Sequence, residues 1–151
     1  MKKRMLNINE VDVTCNPVIY TCYGLGSCIG LFVTDRLKGL SGGAHIPLPR
    51  FSDEGEFLDA TRLINELLCA FTALGSDLNC LRAKVTGGAQ VYDGSINIGE
   101  QNARVVLQQL TDKKIFIAAT DVGGRVSRTA RFNSVTSELE ISTSEQKTYC
   151  I

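Results

Sequence analysis

The N-terminal third of the chain alternates between apolar and polar side chains with the period of two that is typical of β-strands. Residues 6–15 place Leu, Ile and Val between polar residues, which predicts a half-buried strand that ends at the Asn-Pro pair 16–17. Residues 18–23 predict a second strand. The apolar run 29–35 and the returning run 40–48 are separated by a short polar turn, and together they predict a β-hairpin.

After the hairpin the apolar period changes to that of an α-helix. Over residues 58–74 Leu, Ile and Phe recur every three or four positions, and a second helical pattern begins at Gly99. Short strands are predicted at 81–86 and 115–120, and residues 132–141 predict a closing hairpin. This order of elements favours an α+β fold, in which helices cover mixed β-sheets, over a doubly wound parallel sheet.

The composition is that of one globular domain. The chain has 151 residues, 44% of them hydrophobic, which is enough to bury a core without disulfides or metals. We expect a single domain over 1–151, with a loosely ordered polar tail at 142–151. The 16 basic and 16 acidic residues cancel, so no field of one sign attracts nucleic acid. Neither a membrane span nor a signal peptide is recognisable, and we expect a cytoplasmic protein.

Six cysteines raise the question of disulfides or a bound metal. A cytoplasmic location favours free thiols. No Cys-x-x-Cys pair occurs in the sequence, and a single histidine leaves no recognisable zinc spacing. We therefore expect neither a metal nor a cofactor, and we interpret most of the cysteines as small buried hydrophobic residues.

The candidate chemistry lies at Cys28 and His45. Cys28 follows a Gly-Leu-Gly-Ser turn, and His45 is the only histidine of the chain. An imidazole can deprotonate a thiol or hold the thiolate as an ion pair, and the predicted hairpin brings both residues to one end of a sheet. The turn glycines allow outward-pointing amides, so Gly26, Ser27 and Cys28 are candidate donors to an oxyanion. A cysteine packed in a tight turn and a histidine with a structural role are the alternatives at this point.

Four longer patterns occur in order along the chain. They are GLGSC at 24–28, AHIPLP at 44–49, KVTGGAQVYDGSINIGEQN at 84–102 and DVGGRVSRTARF at 121–132. In these segments the chain resembles the CheD family of bacterial chemoreceptor glutamine deamidases, and the resemblance covers most of the chain. It implies a sandwich of two mixed β-sheets flanked by helices, an arrangement shared with other cysteine hydrolases.

The resemblance also implies an activity and partners. The activity is conversion of specific glutamines on the cytoplasmic helices of methyl-accepting chemoreceptors to glutamate. Cys28 would attack the carboxamide carbon, and His45 would serve as base and acid. A CheC-type phosphatase is implied as a second partner, with no nucleic acid and no membrane insertion. The alternative is a regulatory binding module that acts mainly through such a phosphatase, with weak or no catalysis.

Two features of the matching segments have more than one interpretation. The glycine pair 87–88 follows a strand but lacks the spacing of a nucleotide-binding loop, which favours close backbone packing near the site. Arg125, Arg128 and Arg131 are either solvated charges or side chains that order the site. The sequence does not decide between these roles for the arginines.

The family pattern is disturbed before the nucleophile. The resemblance implies a catalytic threonine five or six residues before the cysteine, but Thr21 stands seven before Cys28, and Cys22 occupies the sixth position. A one-residue bulge at Cys22 or Tyr23 would turn Thr21 towards the site, because a bulge resets the alternation of a strand. In a regular strand Cys22 would take the place of the threonine. We expect the first arrangement, with Thr21 orienting His45 as the third member of a triad.

Overall fold

A computed structural model describes residues 1–53 and 55–151 of the chain. Within these residues the chain forms ten β-strands and two α-helices. The strands are β1 (Lys2–Met5), β2 (Val11–Thr14), β3 (Val18–Leu25), β4 (Ile29–Asp35), β5 (Leu40–Ile46), β6 (Leu81–Gly87), β7 (Phe116–Val122), β8 (Arg128–Asn133), β9 (Leu139–Thr143) and β10 (Thr148–Cys150). The helices are α1 (Ala60–Ala73) and α2 (Ile98–Asp112), and a short 3₁₀ turn, Leu78–Cys80, precedes β6.

The strands form two five-stranded sheets. The first has the order β1-β3-β8-β9-β10, and the second has the order β2-β5-β4-β6-β7. Both sheets are mixed, because β1 is parallel to β3 and β6 is parallel to β7, whereas the other neighbouring strands are antiparallel. The antiparallel pairing of β4 with β5 confirms the predicted hairpin and places Gly30 opposite His45.

The side chains of β4 show why the molecule has three layers. Leu31 and Val33 pack with the helices, whereas Phe32 points towards the first sheet and stacks on Phe132 at a centroid distance of 5.4 Å. Because both faces of β4 are buried, its sequence is an apolar run and not an alternation. The layers are therefore first sheet, second sheet and helix pair, and the predicted α+β class with two mixed sheets is confirmed.

Helix α1 shows how local sequence and packing agree. The carboxylate of Asp59 caps its N-terminus by accepting a hydrogen bond from the amide of Arg62 at 2.9 Å. Its buried stripe comprises Ala60, Leu63, Ile64, Leu67, Leu68 and Phe71. Burial of each large apolar side chain of this kind contributes about 1.5–3 kcal/mol. In the described part of the chain, no helix is long and apolar enough to cross a membrane.

The N-terminal segment differs from the prediction of one strand over 6–15. The structure has β1 before this segment and β2 over only Val11–Thr14. The chain turns between them, and Asn9 adopts a left-handed φ of 75° there. Leu6 is buried between the sheets, while Ile8 is exposed. Leu6 and Ile8 both fit the alternation of a single strand, although only Leu6 is buried. The apolar pattern alone therefore could not reveal the turn.

Within residues 142–151, strand β10 pairs into the first sheet, whereas the sequence predicts a loosely ordered tail. Strand β10 runs antiparallel to β9. The Tyr149 hydroxyl donates a hydrogen bond to Asp121 Oδ2 at 2.6 Å, and the Lys84 ammonium donates one to the main-chain oxygen of Ile151 at 2.8 Å. The polar composition of the tail was a poor guide because backbone pairing does not require apolar side chains.

Candidate active site

The nucleophile turn, residues 26–28, connects β3 to β4. Its three carbonyl oxygens accept hydrogen bonds at 2.7–2.9 Å from the Ala89 amide, from Asn102 Nδ2 and from the Gly88 amide. No peptide bond of the described residues is cis, so the last two amides of the turn point away from the carbonyls that precede them. Neither amide donates a hydrogen bond to another described residue. The sequence predicts these two amides, together with that of Gly26, as donors to an oxyanion, and that role stays a prediction.

Glycines support this turn from behind. Gly87 has a φ of 109°, and a Cβ on it would lie 2.2 Å from the Cys28 carbonyl oxygen, so only glycine fits. Gly99 in the first turn of α2 packs as closely, because a Cβ there would lie 2.3 Å from the Ala89 carbonyl oxygen. The interpretation of the glycine pair 87–88 as a close backbone contact near the site is confirmed.

His45 is a buried residue of β5 whose tautomer is fixed by its surroundings. Its Nδ1 lies 2.8 Å from the carbonyl oxygen of Leu6. A carbonyl can only accept, so a neutral ring carries its proton on Nδ1 and presents a lone pair on Nε2. Burial lowers the pKa of His45, although the Leu6 carbonyl and the charge of Glu10 partly offset this effect. The ring is therefore a neutral base at neutral pH.

Cys28 and His45 lie on the same face of the second sheet. Cys28 packs against the apolar cluster between the sheets, and β4 continues on that face with Gly30 and Phe32. His45 stands opposite Gly30, and a Cβ on Gly30 would lie 3.2 Å from Leu25 Cδ1 and from the Phe32 ring. Among the residues described, no hydrogen bond joins the Cys28 sulfur to the His45 ring. Burial raises the pKa of the Cys28 thiol, so at rest the site holds an uncharged thiol and a neutral imidazole.

Thr21 does not lie where the sequence led us to expect it. Strand β3 pairs regularly with β8 through Cys22, and the bulge falls between Cys22 and Leu25. Because Cys22 belongs to the cluster between the sheets, its neighbour Thr21 points to the outer face, on which its cross-strand partner is Arg131. Of the two arrangements left open by the sequence, the structure has the one in which Cys22 faces the interior. Burial and the nearby Cys28 thiol raise the pKa of Cys22.

The group that orients His45 is a main-chain carbonyl. The Thr21 carbonyl oxygen accepts a hydrogen bond from the Leu6 amide at 2.8 Å, and the Leu6 carbonyl in turn binds His45 Nδ1. The His45 main chain is held as well, because its amide donates to the Glu10 carbonyl at 3.1 Å. Sequence reasoning missed Leu6, since a backbone acceptor leaves no side-chain signature.

An open cleft of about 550 Å³ lies beside Cys28. The nucleophile turn lines one side, and the loop 89–97 and the start of α2 line the other. Gly26 faces Val91 across the cleft, because a Cβ on it would lie 3.4 Å from Val91 Cγ2. The exposed side chains of Val91, Tyr92 and Ile96 form an apolar rim. The cleft can therefore admit the side chain of another protein to Cys28.

Of the three arginines considered from the sequence, Arg128 orders the site. Its buried guanidinium donates to Asp121 Oδ2 at 3.1 Å and to the carbonyls of Gly123 at 2.9 Å and Gly87 at 3.3 Å. Gly87 in turn packs on the nucleophile turn. Arg125 and Arg131 instead form ion pairs with Asp93 and Glu140 in which both partners are substantially exposed to solvent.

The described residues do not suggest a metal site. No three or more His, Cys, Asp or Glu side chains among them are grouped closely enough to hold an ion. All six cysteines have free thiols. The groups placed for chemistry are thus the Cys28 thiol, the His45 imidazole and the free amides of the nucleophile turn.

Comparisons with known proteins agree with this site. A family model described as CheD chemotactic sensory transduction matches residues 51–143. A protein of Geobacillus kaustophilus named "Probable chemoreceptor glutamine deamidase CheD" is 36% identical over 154 residues, covering 94% of this chain and 93% of that protein. A protein of Halalkalibacterium halodurans named "Chemoreceptor glutamine deamidase CheD" is 35% identical over 147 residues, covering 91% of each chain. The chain belongs to the CheD family.

Proposed function

We propose that the protein hydrolyses the carboxamide of specific glutamine side chains on chemoreceptors and leaves glutamate. The observation that carries the proposal is the placement of Cys28 and two unpaired amides beside an open cleft, with a neutral His45 on the same face of the same sheet. These are the parts that a cysteine-dependent acyl transfer requires. Relatives of this family are named for the same activity.

The first half of the reaction forms a thioester. The Cys28 sulfur attacks the carboxamide carbon while the thiol proton passes to Nε2 of His45. The negative charge that develops on the carboxamide oxygen is held by the amides of Ser27 and Cys28. The imidazolium then gives its proton to the leaving nitrogen, and the carbon–nitrogen bond breaks. Ammonia departs, and the glutamine acyl group stays bound to sulfur.

The second half of the reaction releases glutamate. Neutral His45 accepts a proton from water, whose oxygen attacks the thioester carbon. The same amides hold the second oxyanion, and its collapse breaks the carbon–sulfur bond. The proton returns from the imidazolium to sulfur, so Cys28 is again a thiol. The Leu6 carbonyl keeps Nε2 directed to the reacting groups through both halves.

The raised pKa of Cys28 and the lowered pKa of His45 decide the form of the attack. A resting thiolate–imidazolium pair requires the pKa of the thiol to lie below that of the imidazole, and both shifts move the two groups away from that order. We infer that His45 removes the proton as sulfur attacks, and that the pair at rest is uncharged. This agrees with the absence of a hydrogen bond between Cys28 and His45 in the described structure.

The proposal places the protein in the cytoplasm and includes two partners. Methyl-accepting chemoreceptors supply the glutamines, which reach Cys28 through the cleft. We also propose binding to a CheC-type phosphatase, for which the exposed apolar rim of Val91, Tyr92 and Ile96 is the candidate surface. Size-exclusion chromatography with such a phosphatase, with Tyr92→Ala as the comparison, tests this part: a complex that forms only with the wild type supports it.

The activity is tested by incubating a chemoreceptor cytoplasmic fragment with the protein and mapping its peptides by mass spectrometry. Each converted glutamine gains about one dalton, the difference between amide and acid. Cys28→Ala should convert none, whereas Cys69→Ala, which alters an exposed cysteine on α1, should act as wild type. Conversion by Cys28→Ala at the wild-type rate would refute the proposal. A folded wild type that converts nothing but stimulates a CheC-type phosphatase would establish the regulatory alternative instead.

A further inference from the structure

Asn102 links the two segments that carry the reactive groups. Its Nδ2 donates hydrogen bonds to the carbonyl oxygen of Ser27 at 2.7 Å and to that of Pro47 at 3.0 Å. Ser27 directly precedes Cys28 in sequence, and Pro47 lies two residues after His45. We propose that Asn102 is a positioning residue that sets the nucleophile turn and the end of β5 at a fixed separation. Its effect on catalysis rests on the proposed function, while the link itself does not.

The orientation of the Asn102 amide follows from its partners. Both partners are carbonyl oxygens, which can only accept, so the NH₂ group must be the one that faces them. The side chain is fully buried, and its Oδ1 has no partner among the described residues. A buried acceptor without a partner is unfavourable. An apolar residue would remove that cost, so the two donated bonds are the reason for an asparagine at this position.

Helix α2 gives Asn102 a rigid support. The helix begins at Ile98 after Asn97, whose side chain accepts a hydrogen bond from the Glu100 amide at 2.9 Å. The contact of Gly99 with the Ala89 carbonyl fixes the first turn against the loop behind the nucleophile. The next turns are anchored in the core by Ala103 and Val106. A side chain on such a helix can define a distance more accurately than one on a loop.

The consequence is a geometric role in the proton transfer. The β4–β5 pairing ends with Ile29 opposite Ile46, so no strand hydrogen bonds reach the residues 27 and 47. The Asn102 NH₂ group spans this gap. Without it, the turn and the chain after His45 can move apart, and the distance between sulfur and imidazole varies. Misplacement of reacting groups by about 1 Å can reduce a rate about a hundredfold.

The test uses Asn102→Ala and Asn102→Ser, with Gln109→Ala as the matched control. Gln109 lies on the same helix, and its side-chain amide donates a hydrogen bond to the Thr61 hydroxyl on α1 at 2.6 Å. This hydrogen bond does not involve the nucleophile turn. Two readouts are taken: kcat and KM for a chemoreceptor fragment, and the pH profile of Cys28 alkylation by iodoacetamide, mapped by peptide mass spectrometry. We expect both Asn102 variants to lower kcat about tenfold to a hundredfold, with little change in KM. The alkylation profile should shift in them and not in Gln109→Ala.

The two readouts separate this inference from the proposed function. If wild type does not deamidate the fragment but the alkylation profile still shifts in the Asn102 variants, the proposed function fails and the positioning role stands. Wild-type kcat and alkylation in folded Asn102→Ala would overturn the positioning role. The positioning role would also be overturned if the Asn102 variants lost activity only through a lower melting temperature, with an unchanged pH profile of Cys28 alkylation. Failure of both Asn102 variants to fold would overturn it as well.

Discussion

At the scale of single residues, the thiol and the imidazole are both made uncharged by the same cause. Burial raises the pKa of Cys28 and lowers the pKa of His45, and neither group has a charged partner that reverses its shift. The Leu6 carbonyl fixes the His45 tautomer without any contribution from a side chain. The site therefore depends on a base that is neutral at rest and correctly oriented.

This predicts the pH dependence of kcat/KM. His45 must be neutral to accept the thiol proton, and its pKa lies below its usual value of 6.5, so activity should persist as the pH falls below that value. Activity should be lost only at the lowered pKa of His45. The lowered pKa also makes the stability of the fold depend on pH. The stability that neutral His45 contributes is complete above pH 6.5 and is lost as the pH falls through the lowered pKa. His45→Gln should remove this limb of the stability profile. A kcat/KM that falls as pH rises through neutrality would show that imidazolium is required, in conflict with this account.

The outward position of Thr21 leads to a second prediction. Thr21→Val replaces the hydroxyl of a buried side chain on the outer face of the first sheet with a methyl group, and keeps the main-chain carbonyl that binds Leu6. We expect steady-state kcat and KM to match wild type. Cys22→Ala, which removes an interior side chain near Cys28, should lower kcat more than Thr21→Val does. A kcat about tenfold or more below that of wild type in Thr21→Val would show that the threonine hydroxyl takes part in catalysis.

At the scale of elements, the 121–128 segment supports the site through Arg128. Arg128→Leu would remove the cation that pairs with the Asp121 carboxylate and one hydrogen-bond donor to each of the Gly87 and Gly123 carbonyls, although Tyr149 still donates to Asp121. We expect the free energy of unfolding in urea to fall by about 3 kcal/mol, because the carboxylate that remains is partly buried and has lost its ion-pair partner. Arg125→Leu breaks only an exposed ion pair and should cost less than about 1 kcal/mol. Equal losses in the two variants would contradict the role given to Arg128.

The elements also show what sequence could and could not predict. The hairpin of β4 and β5 was predictable because an apolar run, a polar turn and a returning run are all local signals. The turn near Asn9 was not, because it depends on a backbone contact with distant His45. The pairing of β10 with β9 was not either, because the polar side chains of the tail carry no apolar alternation. Cys28 and His45 could be chosen from their residue types, whereas Leu6 acts through a carbonyl that every residue possesses.

At the scale of the whole molecule, the site lies where both sheets and α2 meet. The first sheet supplies β3, which leads into the nucleophile turn, and the second supplies β4 and His45 on β5. Helix α2 supplies Asn102 and Gly99, and the end of β6 supplies Gly87 behind the nucleophile turn. Sequence spacing could not show the Thr21 orientation, because the register of β3 against β8 is set by this assembly and not by local pattern.

The central claim is that the glutamine acyl group passes through a thioester on Cys28. Its most direct measurement is deamidation of a chemoreceptor fragment in the presence of hydroxylamine, which attacks a thioester and leaves a hydroxamate where water would leave an acid. Peptide mass spectrometry should find the hydroxamate at the same glutamines that become glutamate, in amounts that rise with hydroxylamine, and none with Cys28→Ala. Glutamate without any hydroxamate at high hydroxylamine, or hydroxamate formed by Cys28→Ala, would contradict the thioester.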